Sequence, residues 1–269
     1  MPSFISGLNL FDGGKQVRRY RLISCEVAYR ECCLAVAVSP NVIDLHFLTQ
    51  GLHDLQSKSM CERVQQAVDE TPAGRYEAIL LGYGLCNNGL VGVTARHTPL
   101  VLPRAHDCIT LFLGSKEKYA EQFAQNSGTY YLTTGWVERD HENLENTHER
   151  EDNIMHKMGL DKSYEEYAAL YGEQAAKMIF ATIGGMQHYR EIGYIDMGVA
   201  PLAEEHVQTK ASAEAQRRGW TFNPRRGRMD LFLELTRGDW DESKFLIVPP
   251  GHRIEQSYDE SIVKAAPAA

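Results

Sequence analysis

Two periods of apolar residues alternate along this chain. Short, nearly continuous apolar runs stand at RYRLISCEV (a strand over 20–25), VIDLHFL (42–48), YEAILLG (77–82), PLVL (99–102), GTYYLTTGW (128–136), EIGYIDM (192–197) and KFLIVP (244–249). Between them the spacing turns helical. SMCERVQQAVDE (59–70) places Met60, Val64, Ala67 and Val68 on one face, and EVAYRECCLAVA, ITLFLGSKEKYAEQFAQN, AEEHVQTKASAEAQRRG and MDLFLELTRG read the same way. SYEEYAALYGEQAAKMIFATI (163–183) is a further helix, with Ser163 and Glu166 spaced as a capping box. Strands without polar alternation are buried on both faces. The pattern therefore predicts an α/β protein of mostly parallel sheet with flanking helices.

One stretch breaks the alternation. Residues 138–162, centred on ERDHENLENTHERED, are strongly polar and read as a solvated connector. The expected organisation is a mobile arm over 1–18, an α/β lobe over 19–137, the connector over 138–162, a helical and α/β lobe over 163–256, and a tail over 257–269 whose IVKAAPAA end is frayed. Two lobes imply a cleft at the carboxyl ends of the strands. The last strands either complete the first sheet or form a smaller second one.

Composition narrows the function. The 269 residues correspond to about 1.8 domains at ~150 residues each. A net charge of −8, from 28 basic and 36 acidic residues, argues against a nucleic-acid binder. The first 20 residues lack the apolar stretch of a signal peptide, and no run reaches the ~20 residues of a membrane span. The expectation is a cytoplasmic protein that makes no use of a membrane, with its cysteines as thiols or metal ligands.

All six cysteines fall in the first 108 residues. Ligands of open parallel sheets bind beyond the strand carboxyl ends. Cys25 ends one strand, Cys86 follows a second in GYGLCNNG, and Cys108 follows a third in PRAHDC. His106 and Cys108 form an H-x-C pair able to face one ion, with Asp107 between them as an orienting group or catalytic acid–base. Thiolate and imidazole suit zinc, and three protein ligands leave a position for substrate. A [4Fe–4S] cluster on three cysteines is the alternative cofactor, and inert buried thiols are the third reading. Cys32, Cys33 and Cys61 read as packing residues on helices. His46, His53, His141, His148 and His156 read as polar or solvated side chains.

Other residues could line the same cleft. Tyr83 and Asn87, in the glycine- and asparagine-rich turn, could touch a substrate, but the turn matches neither GxGxxG nor GxxxxGK[ST]. Trp136 offers an aromatic face and Glu138 a catalytic carboxylate beyond the strand 129–133. Arg104 could bind a carboxylate or phosphate, and Tyr194 with Asp196 could enter from a later strand.

CEVAYRE, GYGLCNNGL, PRAHDCITLFLGS and TYYLTTGW resemble the motifs of domain-of-unknown-function family 1638, across about residues 20–250. The resemblance implies the company of corrinoid-dependent methyltransferase systems that demethylate methylamines and betaines. A corrinoid protein or a methyltransferase is then the expected partner, with corrinoid on that partner and a small molecule as substrate. The ligand set is also similar to that of zinc methyltransferases that alkylate thiols, which pair H-x-C with a distant cysteine. In those enzymes the distant cysteine follows the pair, whereas Cys25 and Cys86 precede it here. Three functions stay open: zinc-dependent methyl transfer, a non-catalytic accessory that binds a corrinoid protein, and an iron–sulfur enzyme.

Overall fold

The computed structural model describes residues 16–49, 57–126, 128–139, 168–169, 172–173, 175 and 189–268. The expected arm through residue 15, most of the acidic connector, His53, His141, His148, His156 and the capping box of Ser163 lie outside the described residues.

The strands in chain order are β1 (Arg19–Cys25), β2 (Val42–Leu48), β3 (Ala78–Gly82), β4 (Leu100–Pro103), β5 (Thr129–Thr133), β6 (Glu191–Asp196), β7 (Thr221–Arg226), β8 (Phe245–Val248), β9 (His252–Gln256) and β10 (Val263–Pro267). The helices are α1 (Tyr29–Ala37), preceded by a 3₁₀ turn at Glu26–Ala28, then α2 (Ser57–Asp69), α3 (Cys108–Leu113), α4 (Lys116–Gln125), α5 (Thr134–Glu138), α6 (Pro201–Arg218) and α7 (Asp230–Arg237).

The main sheet runs β2-β1-β3-β4-β8. Its first four strands are parallel and β8 is antiparallel to β4. The α/β class with a mostly parallel sheet is as the apolar runs require. Every residue of β3 and β4 is buried, whereas edge strand β2 is half-exposed. From β1 the chain goes to β2 on one side and then crosses to β3 on the other. The strand order therefore reverses between β1 and β3, the kind of position at which open parallel sheets bind ligands.

A second sheet, β5-β6-β7, is wholly parallel. It has its own small core of Ile192, Tyr194, Val207, Ala211 and Ala215. Ile195 and Met197 join the larger core beneath the main sheet. The spatial grouping crosses the expected boundary at residue 138 twice. β5 pairs with β6, and β8 returns to the main sheet beside β4.

Three local features depart from the sequence pattern. The expected long helix at ITLFLGSKEKYAEQFAQN is two helices, because Gly114 takes a left-handed φ of 89° and the Ser115 hydroxyl caps α4 by accepting from Lys118 N. The end of GTYYLTTGW becomes α5, capped by Thr133 Oγ1 accepting from Trp136 N. The expected frayed tail is β10, paired antiparallel with β9, with Ile262 and Val263 buried. Among the described residues no helix is long and apolar enough to cross a membrane.

Candidate functional site

Three segments meet at the β1–β3 reversal. β1 ends at Cys25, and its register with β3 closes on the pair Ser24–Gly82, so Cys25 and Tyr83 come next on the two strands. The turn after β3 is bound to the loop after β4: Leu85 N donates to Ala105 O at 2.8 Å and Cys86 N to His106 O at 2.9 Å. Gly84 is required at this seam, because a Cβ there would lie 2.6–2.7 Å from the main chain of Asp107. Cys86, Asn87 and Asn88 then take φ of 47°, 53° and 65° in succession. Left-handed backbone disfavours non-glycine residues and normally occurs singly. The main-chain bonds on both sides hold the turn in this conformation.

The sequence-predicted thiols come together here. Cys25 and Cys86 are buried and Cys108, the first residue of α3, is partly buried. None is in a disulfide. Burial, the dominant cause, pushes the Cys25 and Cys86 thiols up to about 12. For Cys86 the charges of Cys25 and Asp107 push the same way, while main-chain groups of Gly84 and Cys108 bond to its sulfur and oppose the rise. Cys108 is driven far up by burial and then by Cys86, Asp107 and Cys25, against a hydrogen bond from Trp136. Each thiol thus feels the other two or is felt by them. All three are neutral in this form. Among the described residues no group of three or more His, Cys, Asp or Glu is arranged, as it stands, to hold a metal ion.

The remaining expected residues divide. Tyr83 is buried beside the thiols, with charges on Cys25, Cys86 and Cys32 acting on its phenol. Trp136 reaches the cluster through Cys108. Asp107 caps α3, its Oδ1 accepting from Thr110 N at 3.2 Å, and its charge still reaches Cys86 and Cys108. The side chains of His106 and Asn87 are exposed.

Three residues are bound elsewhere. Glu138 forms a two-point pair with Arg30 of α1, at 2.7 and 2.6 Å. Arg104 donates to the carbonyls of Glu242, Ser261 and Val263 at 2.7, 3.0 and 2.5 Å, fastening β4 to the segment around β8 and β10. Tyr194 Oη bonds Thr134 Oγ1 at 2.8 Å in the small core. Cys61 lies on α2 at an open groove of about 620 Å³, with Glu62, Asp69 and Arg96. Asp196 lines a cavity of about 310 Å³ with Glu204, Glu205 and Arg226. None of Cys25, Cys86 or Cys108 lines either space.

Cys32, read from the sequence as a packing residue, is tied to the site, and the buried carboxylate of Glu31 precedes it on α1. Cys32 Sγ donates to Ser24 Oγ at 3.4 Å, and Ser24 Oγ donates to Gly82 O at 3.0 Å, so the helical cysteine is tied to the β1–β3 junction. Glu31 is fully buried, and burial pushes its carboxyl up to about 7, aided by the charge of Glu204. The signal for Glu31 was its spacing: Ala28, Glu31, Cys32 and Ala35 fall on one face of the helix, and all are buried.

Fold and site together define a parallel α/β protein with buried thiols at the strand-order reversal of its main sheet. The chain belongs to the family described as "Protein of unknown function (DUF1638)", whose model matches residues 47–236. Tyr83, Cys86, Cys108 and Trp136 lie within the matched stretch, and β1 with Cys25 precedes it. No curated protein and no solved structure matches the chain.

Proposed function

We propose that Cys25, Cys86 and Cys108 form a zinc centre of a small-molecule enzyme that transfers a methyl group between a partner's corrinoid and a thiol. The observation that supports this reading is the meeting of three thiols, from three separate strand ends, at the reversal point. Thiolate donors suit zinc by their chemistry, and three would leave a position for a substrate; the side chains as they stand are not arranged around an ion, so loading would require them to move. Cys25, Cys86 and Cys108 would bind through Sγ, and a bound ion would hold a substrate thiol as its thiolate.

The protein's own residues set the conditions. Burial keeps the three thiols neutral, so each must release a proton on loading, and affinity rises with pH. Trp136 donates toward Cys108 and favours its ionised form. Asp107 holds the start of α3, and with it Cys108, in place. A corrinoid on the partner would supply the methyl group and keep the electron pair of the bond it loses, while the acceptor thiol held by Cys25, Cys86 and Cys108 through the ion would take the methyl group on sulfur. The thiol proton leaves to solvent.

Metal analysis of anaerobically purified protein tests the reading. One zinc per chain is expected, lost in Cys25→Ser, Cys86→Ser and Cys108→Ser. A brown protein absorbing near ~400 nm would favour the iron–sulfur reading instead. Co-purification with a corrinoid protein, without metal and without methyl transfer, would favour the accessory role.

A further inference from the structure

The two edges of the main sheet differ. β8 is four residues long, and β9 and β10 pack against it. β2 is seven residues long, and among the described residues no strand lies on its outer side. It pairs with β1 without a bulge, from Arg19–Val42 to Cys25–Leu48. Five of its seven residues are apolar, yet none is fully buried. Val42 and Leu45 are exposed, as are Tyr29 and Leu34 of α1, which packs beside β2 through the Tyr29 and Phe47 rings at 4.7 Å. Free N–H and C=O groups on a long edge are a template for pairing, and proteins ordinarily guard it with lysine, proline or a bulge. VIDLHFL carries none of these.

The main chain sets which groups face outward. Val42 N donates inward to Arg18 O at 2.9 Å. With a period of two, Val42, Asp44, His46 and Leu48 bond to β1, and Ile43, Leu45 and Phe47 turn their N–H and C=O groups outward. An antiparallel pairing of β2 with its own copy must oppose outward groups. Centred on Asp44, it sets Asp44 against Asp44, like charges. Centred on His46, it sets Asp44 against Leu48. Centred on Leu45, it sets Asp44 against His46 on both sides of the axis, Val42 against Leu48, Ile43 against Phe47 and Leu45 against itself. Of the three, that register alone pairs every residue of the strand, apolar with apolar and carboxylate with imidazole. Ile43, Leu45 and Phe47 then exchange main-chain hydrogen bonds. Asp44 and His46 form the other type of pair, with Cα atoms about 4.5 Å apart and side chains closest. The side chains are set for this. Asp44 Oδ2 accepts from Tyr76 Oη at 2.7 Å and pairs with Arg19 and Arg75 at 3.4 and 3.3 Å. Arg21 Nη2 lies 3.1 Å from His46 Nδ1. A guanidinium only donates, so Nδ1 accepts and Nε2 carries the ring proton, a donor for a carboxylate.

We infer that β2 is an interface with a second copy of this chain, the two strands pairing antiparallel about a two-fold axis at Leu45 and joining the main sheets of both copies. The occupant is a second copy because the strand complements itself: opposite charges on facing cross-strand positions are favourable and like charges are not. A two-fold interface uses the same patch on both partners. It consumes β2 in each, so assembly through this edge stops at two chains. The inference is independent of the cysteine centre.

The test is the mass of the full chain in solution by light scattering. The wild type should measure twice the 30.4 kDa of one chain. Leu45→Lys and Leu45→Glu each set like charges against themselves at the axis. Each alone should measure one chain and keep the wild-type circular dichroism, because position 45 is exposed. Mixed in equal amounts, the two variants should return to the double mass, since this register sets position 45 against itself. Hydrogen exchange of the wild type needs no variant. The amides of Ile43, Leu45 and Phe47 should be protected at high protein concentration and lose that protection on dilution. A wild type that stays a single chain overturns the inference, and so does a dimer that survives in both variants. Variants that do not recombine overturn the register. Amides of β2 that exchange freely at every concentration contradict the interface. Protection that persists on dilution of a single chain also overturns it, because another segment of the same chain would then cover the edge.

Discussion

The carboxyl ends of two parallel sheets can be compared within this one chain. At the β1–β3–β4 edge the side chains are thiols and a phenol, buried and neutral. At the β6–β7 edge they are Asp196, Glu204 and Arg226 around a cavity of about 310 Å³. There the charges have found partners inside the chain. Arg226 lies 3.4 Å from Asp196, and Glu204 Oε1 accepts from Val199 N and Ala200 N at 3.0 and 3.3 Å. Strand direction places both edges alike. What differs is the chemistry: an ion pair and main-chain hydrogen bonds hold the charged edge, whereas neutral thiols and the unpartnered Tyr83 hydroxyl occupy the other.

The largest effects should come from the thiols. Cys86→Ser and Cys108→Ser are expected to lower zinc affinity on the order of a hundredfold or more, since each removes one of only three protein ligands. Cys61→Ser, on α2, should leave the affinity unchanged in the same chelator competition. Equal losses in all three would erase the distinction between the cluster and the remaining cysteines.

Next comes the junction between the two regions. α5 follows the second sheet's first strand and packs on the turn after β1, where a Cβ on Gly135 would run into the carbonyl oxygen of Val27. Gly135→Ala should cost about 3 kcal/mol in urea denaturation, at the upper end of overpacking effects.

Glu31 tests the carboxylate side. Its carboxyl titrates near 7 in the fold, against 4.5 ordinarily. Between these values the unfolded chain has lost the proton and the folded chain keeps it. Stability from this group is complete below pH 4.5, falls as pH rises through 7 and is level above. Glu31→Gln should remove that fall, making the variant more stable than wild type at pH 8 by up to about 3 kcal/mol, at about 1.4 kcal/mol per pH unit. Denaturation curves at pH 5 and pH 8 check it. The smallest effect belongs to Arg226→Ala. Its ion pair is largely solvated, so the change should stay within about 0.5 kcal/mol.

The sequence made the buried strands legible because β3 and β4 are continuous apolar runs with no competing period. It also marked Cys25, Cys86 and Cys108, since strand direction alone carries residues after parallel strands to one edge. It could not show that Arg104 is occupied, because its acceptors lie 138, 157 and 159 residues further along the chain. Glu138 was read as a free carboxylate for the same reason, its partner Arg30 being 108 residues away. The β9–β10 hairpin was missed because HRIEQ is mostly polar and VKAAP is poor in strand-forming residues. Cys32 was set aside because adjacent helical residues face different ways. That argument separates it from Cys33 without placing it away from β1.

The most direct test of the central claim is X-ray absorption at the zinc edge of anaerobically purified full-length protein. The account predicts a shell of three sulfur atoms at about 2.3 Å, reduced in Cys25→Ser. A protein without zinc, or zinc bound only by nitrogen and oxygen, would contradict it.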